Sequence, residues 1–194
     1  MGGGIEHLTQ LVEKTAEESA MDVQTILANA LTLNTNNFVK PALEGLSDAD
    51  LTKRPTDQCN PIGWLLWHQT RVEDAILSNV SGKPQAWIEG KWHEKFDMPA
   101  NAGDVGAGNS LEQVAAFKPT KAALLGYVDA VRDKSLGILK SLSAADLERE
   151  LPAPGGGTRK VGDFLGIIMI DHFQHSGQIA YVRGYLTGKG WFAR

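Results

Sequence analysis

Three side chains stand out as possible ligands of one metal ion: His68, Asp171 and His175. Asp171 and His175 are four apart, so on a helix they lie one turn apart and can point at one ion. They fall on a stripe that reads Phe164, Ile168, Asp171, His175, Gln178, Val182 and Tyr185. A carboxylate on such a core-facing stripe is costly unless it is paired or bound to a cation. His68 lies on a second apolar stripe with Leu65, Val72 and Ala75, beside Trp64 and Trp67. Two such helices packed together would supply His, Asp and His around one centre. Three N/O ligands with open positions is the catalytic arrangement, as opposed to the closed structural one. Zinc, nickel, iron and manganese all accept that set. Spacing equally allows a rival pair, His172 with His175, on the stripe Leu165, Ile168, His172, His175, Ile179, Val182 and Leu186. Both readings keep His175.

Other residues carry weaker signals. Gln178 is near the proposed centre, either as a substrate contact or as an amide bonded to a neighbouring helix. Tyr181, with Arg183 and Tyr185, either lines a cleft or closes the bundle end. Trp92, with Trp87, either roofs the metal pocket or anchors the segment that carries it, and anchoring is the plainer role. His93 reads as exposed. Cys59 has no histidine close in sequence to act as its base, so it reads as structural. Gly155-Gly156-Gly157 is not followed by Lys-Ser/Thr, so it is a loop and not a phosphate cradle.

The segments that carry these side chains read as helices. Helical spacing covers about residues 5–39, with Pro41 imposing a kink or break. Asn60 as cap and Pro61 as first residue start a second helix, which Gly82 and Pro84 stop. Residues 81–110 are glycine- and proline-rich yet hold Trp87, Trp92 and Phe96, which predicts a long ordered crossover packed across one end of the bundle. Ser110 and Gln113 form a capping-box pattern that opens a third helix, interrupted near Phe117 to Thr120 and running to Leu142. Ser143 to Asp146 is a further cap, and residues 152–157 are a turn without regular structure. A fourth helix spans about 161–186 and ends at Gly188. Strand signals are weak. The expected fold is an all-α four-helix bundle with one long crossover between helices 2 and 3, one domain over 1–194 with 1–20 as an N-terminal extension.

Composition narrows the function. The formal charge is −4 with acids and bases interspersed, so nucleic-acid binding has little electrostatic support. The longest strongly apolar run, Phe164 to Ile170, is far short of the roughly 20 residues that span a bilayer. Cys59 is the only cysteine, which excludes an intrachain disulfide and fits a cytoplasmic location.

The segments Pro61 to Asp74 (PIGWLLWHQTRVED) and Asp171 to Gly184 (DHFQHSGQIAYVRG) resemble the DinB-like (DinB/YfiT-like) family. Within it they look closest to the branch holding DUF664 and mycothiol-transferase-like proteins. The likeness covers about residues 23–192. It implies a four-helix bundle whose metal is held by one histidine on the second helix and an HxxxH pair on the fourth. The second histidine of that pair precedes a small-residue-Gly-Gln segment, here Ser176-Gly177-Gln178, which sets His175 there and His68 on the second helix. Asp171 stands where the first histidine of the pair commonly does, a departure that bears on metal identity and affinity. The resemblance implies an enzyme that transfers a low-molecular-weight thiol to an electrophilic small molecule. Metal-dependent hydrolysis would use the same ligands. A non-catalytic stress-response or binding bundle, acting as a homodimer with a structural metal or none, is the alternative.

Overall fold

A computed structural model of the chain describes residues 22–188. The expected N-terminal extension and leading helical turns lie outside them. In chain order the helices are α1 (Val23–Asn34), continued by a π-helical turn (Thr35–Val39) into α2 (Lys40–Leu43), then α3 (Asp48–Leu51), α4 (Ile62–Ser81), α5 (Ala86–Glu89), α6 (Trp92–Lys95), α7 (Leu111–Ala116), α8 (Lys121–Ser141) and α9 (Ala144–Leu147). A hairpin of β1 (Glu150–Pro152) and β2 (Thr158–Lys160) leads into α10 (Val161–Thr187).

Four long segments make the bundle. α10 packs mainly on α4, α4 on α8, α8 on α1, and α1 back on α10. This is the all-α bundle that the periodicity predicts. Among the described residues no helix is long and apolar enough to cross a membrane.

Several local expectations change in physical detail. Pro41 does not break the first helix. Its missing N–H and its ring are accommodated because the preceding turn widens to π geometry, with the Lys40 N–H reaching Thr35 O. Pro61, not Asn60, is the N-cap of α4, in extended conformation and with no side-chain cap bond. The α4 C-terminus is as expected: Gly82 adopts φ 69°, the left-handed conformation that glycine tolerates best. The Ser110–Gln113 and Ser143–Asp146 capping boxes both form. The turn at 152–157 joins a short antiparallel hairpin, with Leu151 opposite Arg159, where no regular structure is expected. Three-residue strands are too short for alternation to register in sequence.

The crossover lies along the flanks of α4 and α8 and not across a bundle end. The Trp92 ring stands against Gly126 in α8, where an added Cβ would come within 2.8 Å of it. Trp87 is buried against Tyr127, with ring centroids 5.5 Å apart.

The interior is layered. One apolar cluster gathers Trp64, Leu65, Trp67, Trp87, Leu124, Tyr127, Ile179 and Val182, among others. A second gathers Leu27, Leu31, Leu77, Val80, Ile138, Phe164 and Ile168, among others. Between them the helices present buried polar residues: Asn34 and Thr35, Gln69 to Asp74 in part, Arg132 and Ser135, and His172 to Ser176 in part. The chemistry of the molecule lies in that layer.

Candidate metal centre

α4 and α10 cross so that His68, Asp171 and His175 converge. The three ligand atoms lie within 4.8 Å of one another. Asp171 Oδ1 stands 3.5 Å from His68 Nε2 and 3.4 Å from His175 Nε2. Ligand atoms about 2.1 Å from an ion at tetrahedral angles are about 3.4 Å apart, so both separations match an edge of that coordination figure. The side chains are 12%, 15% and 11% exposed.

Second contacts fix the two rings. The His68 Nδ1–H donates to the Val105 carbonyl at 2.5 Å, and Trp64 stacks on the ring at 4.8 Å with planes 7° apart. The His175 Nδ1–H donates to Gln178 Oε1 at 2.7 Å. A carbonyl oxygen only accepts, so each Nδ1 carries the hydrogen and each neutral ring leaves Nε2 as a bare lone pair. Both lone pairs therefore face the Asp171 carboxylate. Acceptors facing acceptors repel unless a proton or a cation lies between them. Asp171 Oδ2 adds to this, being buried with no hydrogen-bond partner. The donor set, its tautomers and the orphaned oxygen fit a divalent ion.

The electrostatics agree. For His175, burial works to lower the pKa, but hydrogen bonds to Asp171 and Gln178 and the Asp171 charge outweigh it, and the net shift is upward. For Asp171, burial works to raise the pKa. Hydrogen bonds and charge from His175 and His68 overcome it and hold the carboxyl well below the usual range. Asp171 and His175 thus each favour their charged form beside the other, which marks a strongly polarised site.

His172 turns the other way. Its Nε2 lies 2.9 Å from Glu73 Oε2, off the line of a hydrogen bond, and it is absent from the converging group. Arg132 meets the same carboxylate at 2.9 Å and 3.0 Å. Gln178 touches the centre through His175. With Tyr181, Cys59, Asn60, Gln174 and Tyr185 it also lines a neighbouring cleft of about 690 Å³. Tyr181 is largely exposed there. Trp92 is not beside the centre. It packs on Tyr127 and Gly126, with Lys95 above its ring, as a crossover anchor.

The sequence offers Arg71 or Arg183 only as a cation to pair with Asp171; Arg71 instead donates to crossover carbonyls, and Arg183 to the Ala42 and Glu44 carbonyls. The sequence does not single out Glu73, Asp74 or Arg132. Their signal is nonetheless present, because charged residues recur in the middle of helices that are otherwise apolar inward. The missing information is which of them pair.

A family model for the DinB superfamily matches residues 31–179. A solved structure described as a conserved protein from Enterococcus faecalis aligns with a TM-score of 0.77 and 22% identity, over 88% of this chain and 100% of that one. At that identity the likeness concerns the fold. No curated protein matches the chain. The family match takes in α4, the crossover, α8 and α10 through His175, and on it the chain belongs to the DinB superfamily.

Proposed function

We propose that this protein is a metal-dependent enzyme in which His68 Nε2, the Asp171 carboxylate and His175 Nε2 hold one divalent ion. The observation that carries the proposal is the pair of bare Nε2 lone pairs aimed at a carboxylate whose second oxygen is buried and unpartnered. Such an ion, when bound, lowers the pKa of a coordinated thiol or water and makes it a nucleophile near neutral pH. The motif resemblance to mycothiol-transferase-like proteins favours a low-molecular-weight thiol, transferred to an electrophilic small molecule.

The chain's own residues divide the work. His68 and His175 present neutral nitrogen donors, each oriented by the acceptor on its Nδ1–H. Asp171 contributes negative charge, which offsets part of the ion's charge. The cleft lined by Gln178, Tyr181 and Tyr185 offers amide and ring surfaces to the organic part of a substrate.

Elemental analysis of the purified protein tests the centre. We expect near-stoichiometric metal in the parent and a large loss in His68→Ala, Asp171→Ala and His175→Ala. Incubation of the loaded protein with a thiol and a generic electrophile tests the reaction, with metal-dependent conjugation expected. Hydrolysis without conjugation would shift the assignment to a hydrolase. No rate above background with any thiol or ester would leave a non-catalytic metal bundle.

A further inference from the structure

Arg71 lies one turn beyond His68 on α4, is fully buried, and spends its donors on the crossover. Its Nε–H donates to Asp104 O at 3.0 Å, and Nη2 donates to Ala102 O at 3.1 Å and Asn101 O at 3.3 Å. Nη1 donates to Gln85 Oε1 at 2.9 Å and to Tyr127 Oη at 3.2 Å. The guanidinium carbon stands 4.6 Å above the Trp87 ring. Asp74 is 3.5 Å from Nη1, but its oxygens are already taken by the Ala86 and Trp87 N–H groups and the Tyr127 hydroxyl. The planar fork of arginine thus acts here as a template for backbone carbonyls more than as half of an ion pair.

The carbonyl that follows those of residues 101, 102 and 104 is the acceptor for His68. Val105 O is fixed on one side by the Arg71-bound stretch and on the other by Gly106. Gly106 has φ 86°, and an added Cβ would lie 2.6 Å from Trp67 Cζ3 and 3.0 Å from Trp64 Cζ2. Only glycine lets the crossover pass so close to the two indoles. Farther along, Asn109 Oδ1 accepts from Trp64 Nε1–H at 3.0 Å, holding the ring that stacks on His68.

We propose that Arg71 is a positioning residue for the metal centre: by holding residues 101–104 it places the Val105 carbonyl that keeps His68 in its Nδ1–H tautomer with Nε2 facing Asp171. The proposal rests on the reading of His68, Asp171 and His175 as a metal centre. An arginine that merely filled the core would affect stability and leave the His68 tautomer untouched.

The test compares the full-length parent with Arg71→Lys, which keeps the charge but loses the fork, and with Gly106→Ala, which disturbs the loop while leaving Arg71 in place. Glu73→Gln serves as a destabilised control that does not contact His68. Two quantities are read: the imidazole ¹⁵N shifts of His68 in metal-free protein at mildly alkaline pH, and the affinity for zinc by competition titration. We expect a single Nδ1–H tautomer in the parent and in Glu73→Gln. Both test variants should show a mixture of tautomers and about 10–100-fold weaker zinc binding, the usual cost of losing an outer partner. Should Arg71→Lys fail to fold, Gly106→Ala decides alone. An unchanged His68 tautomer and parental zinc affinity in a folded variant would overturn the proposal. A parent that binds no zinc or other divalent ion defeats the metal reading instead, and the tautomer measurement still judges Arg71.

Discussion

His172 Nε2 lies 2.9 Å from Glu73 Oε2, while the preceding residue, Asp171, faces His68 from 3.5 Å. Consecutive residues on a helix point about 100° apart, so α10 serves two sites at one level. Toward one side it completes the converging His-Asp-His group. Toward the other it completes a buried charge cluster with Glu73 and Arg132. The two sites are neighbours in the same polar layer, yet they call for different chemistry, and variants can separate them.

His172→Gln should keep its metal while losing stability, because the side chain leaves the Glu73 cluster without touching the ion. Asp171→Asn should do the reverse, losing affinity with little change in folding. Metal content and the denaturant midpoint, measured on both, check the pair. Loss of metal in His172→Gln would mean that the rival histidine pair is the ligand set.

Glu73→Gln leaves Arg132 buried without its counter-charge and should cost about 3–5 kcal/mol. The double variant Glu73→Gln/Arg132→Met should recover much of that loss, which urea unfolding can measure. The acid side is also informative. Burial pushes the Glu73 carboxyl up, but the Arg132 charge and the His172 contact outweigh it, so its pKa is lowered below 4.5. A carboxylate depressed in this way contributes stability that is present above its unfolded value and lost as pH falls through the folded one. The parent should therefore weaken below about pH 4.5 more steeply than Glu73→Gln.

Metal affinity should rise with pH. In metal-free protein the raised His175 pKa means a proton occupies the centre over a range extending above 6.5. That proton stabilises the metal-free fold at and below the unfolded value, and the benefit disappears as pH rises through the folded one. The ion must displace it, so below the His175 pKa affinity should rise about tenfold per pH unit for each proton released. Zinc titrations across the histidine range read this slope. A flat profile would rule out displacement of a histidine proton.

Gln178→Leu removes the acceptor on the His175 Nδ1–H and should weaken metal binding by about 10–100-fold, whereas Gln178→Glu should retain it. Cobalt titrations followed by absorbance distinguish the two. Equal loss in both would point to packing in the cleft and not to the hydrogen bond.

The helices, most of their caps and the candidacy of His68, Asp171 and His175 are open to sequence reading because each rests on local periodicity. Gly82 and Gly188 stop their helices through a backbone conformation that needs no partner. Four-residue spacing alone puts Asp171 and His175 on one face. The fates of Asp171 and His172 were not separable that way, since both stripes are apolar-flanked and the rotation of α10 against α4 selects between them. The role of Arg71 was hidden for a similar reason, as its partners are backbone carbonyls thirty residues away, which carry no side-chain signal. Trp92 was readable as a large apolar anchor, but only packing sets it on α8 and away from the centre.

Hydrophobic spacing and capping act within a few residues, so the helical segments and the candidate ligand types follow from the order of residues along the chain. Which histidine faces the carboxylate, which ring nitrogen carries the hydrogen and which charges are buried together follow only from the packed fold. Those outcomes depend on how helices rotate and dock, and docking is governed by the summed packing of all of them.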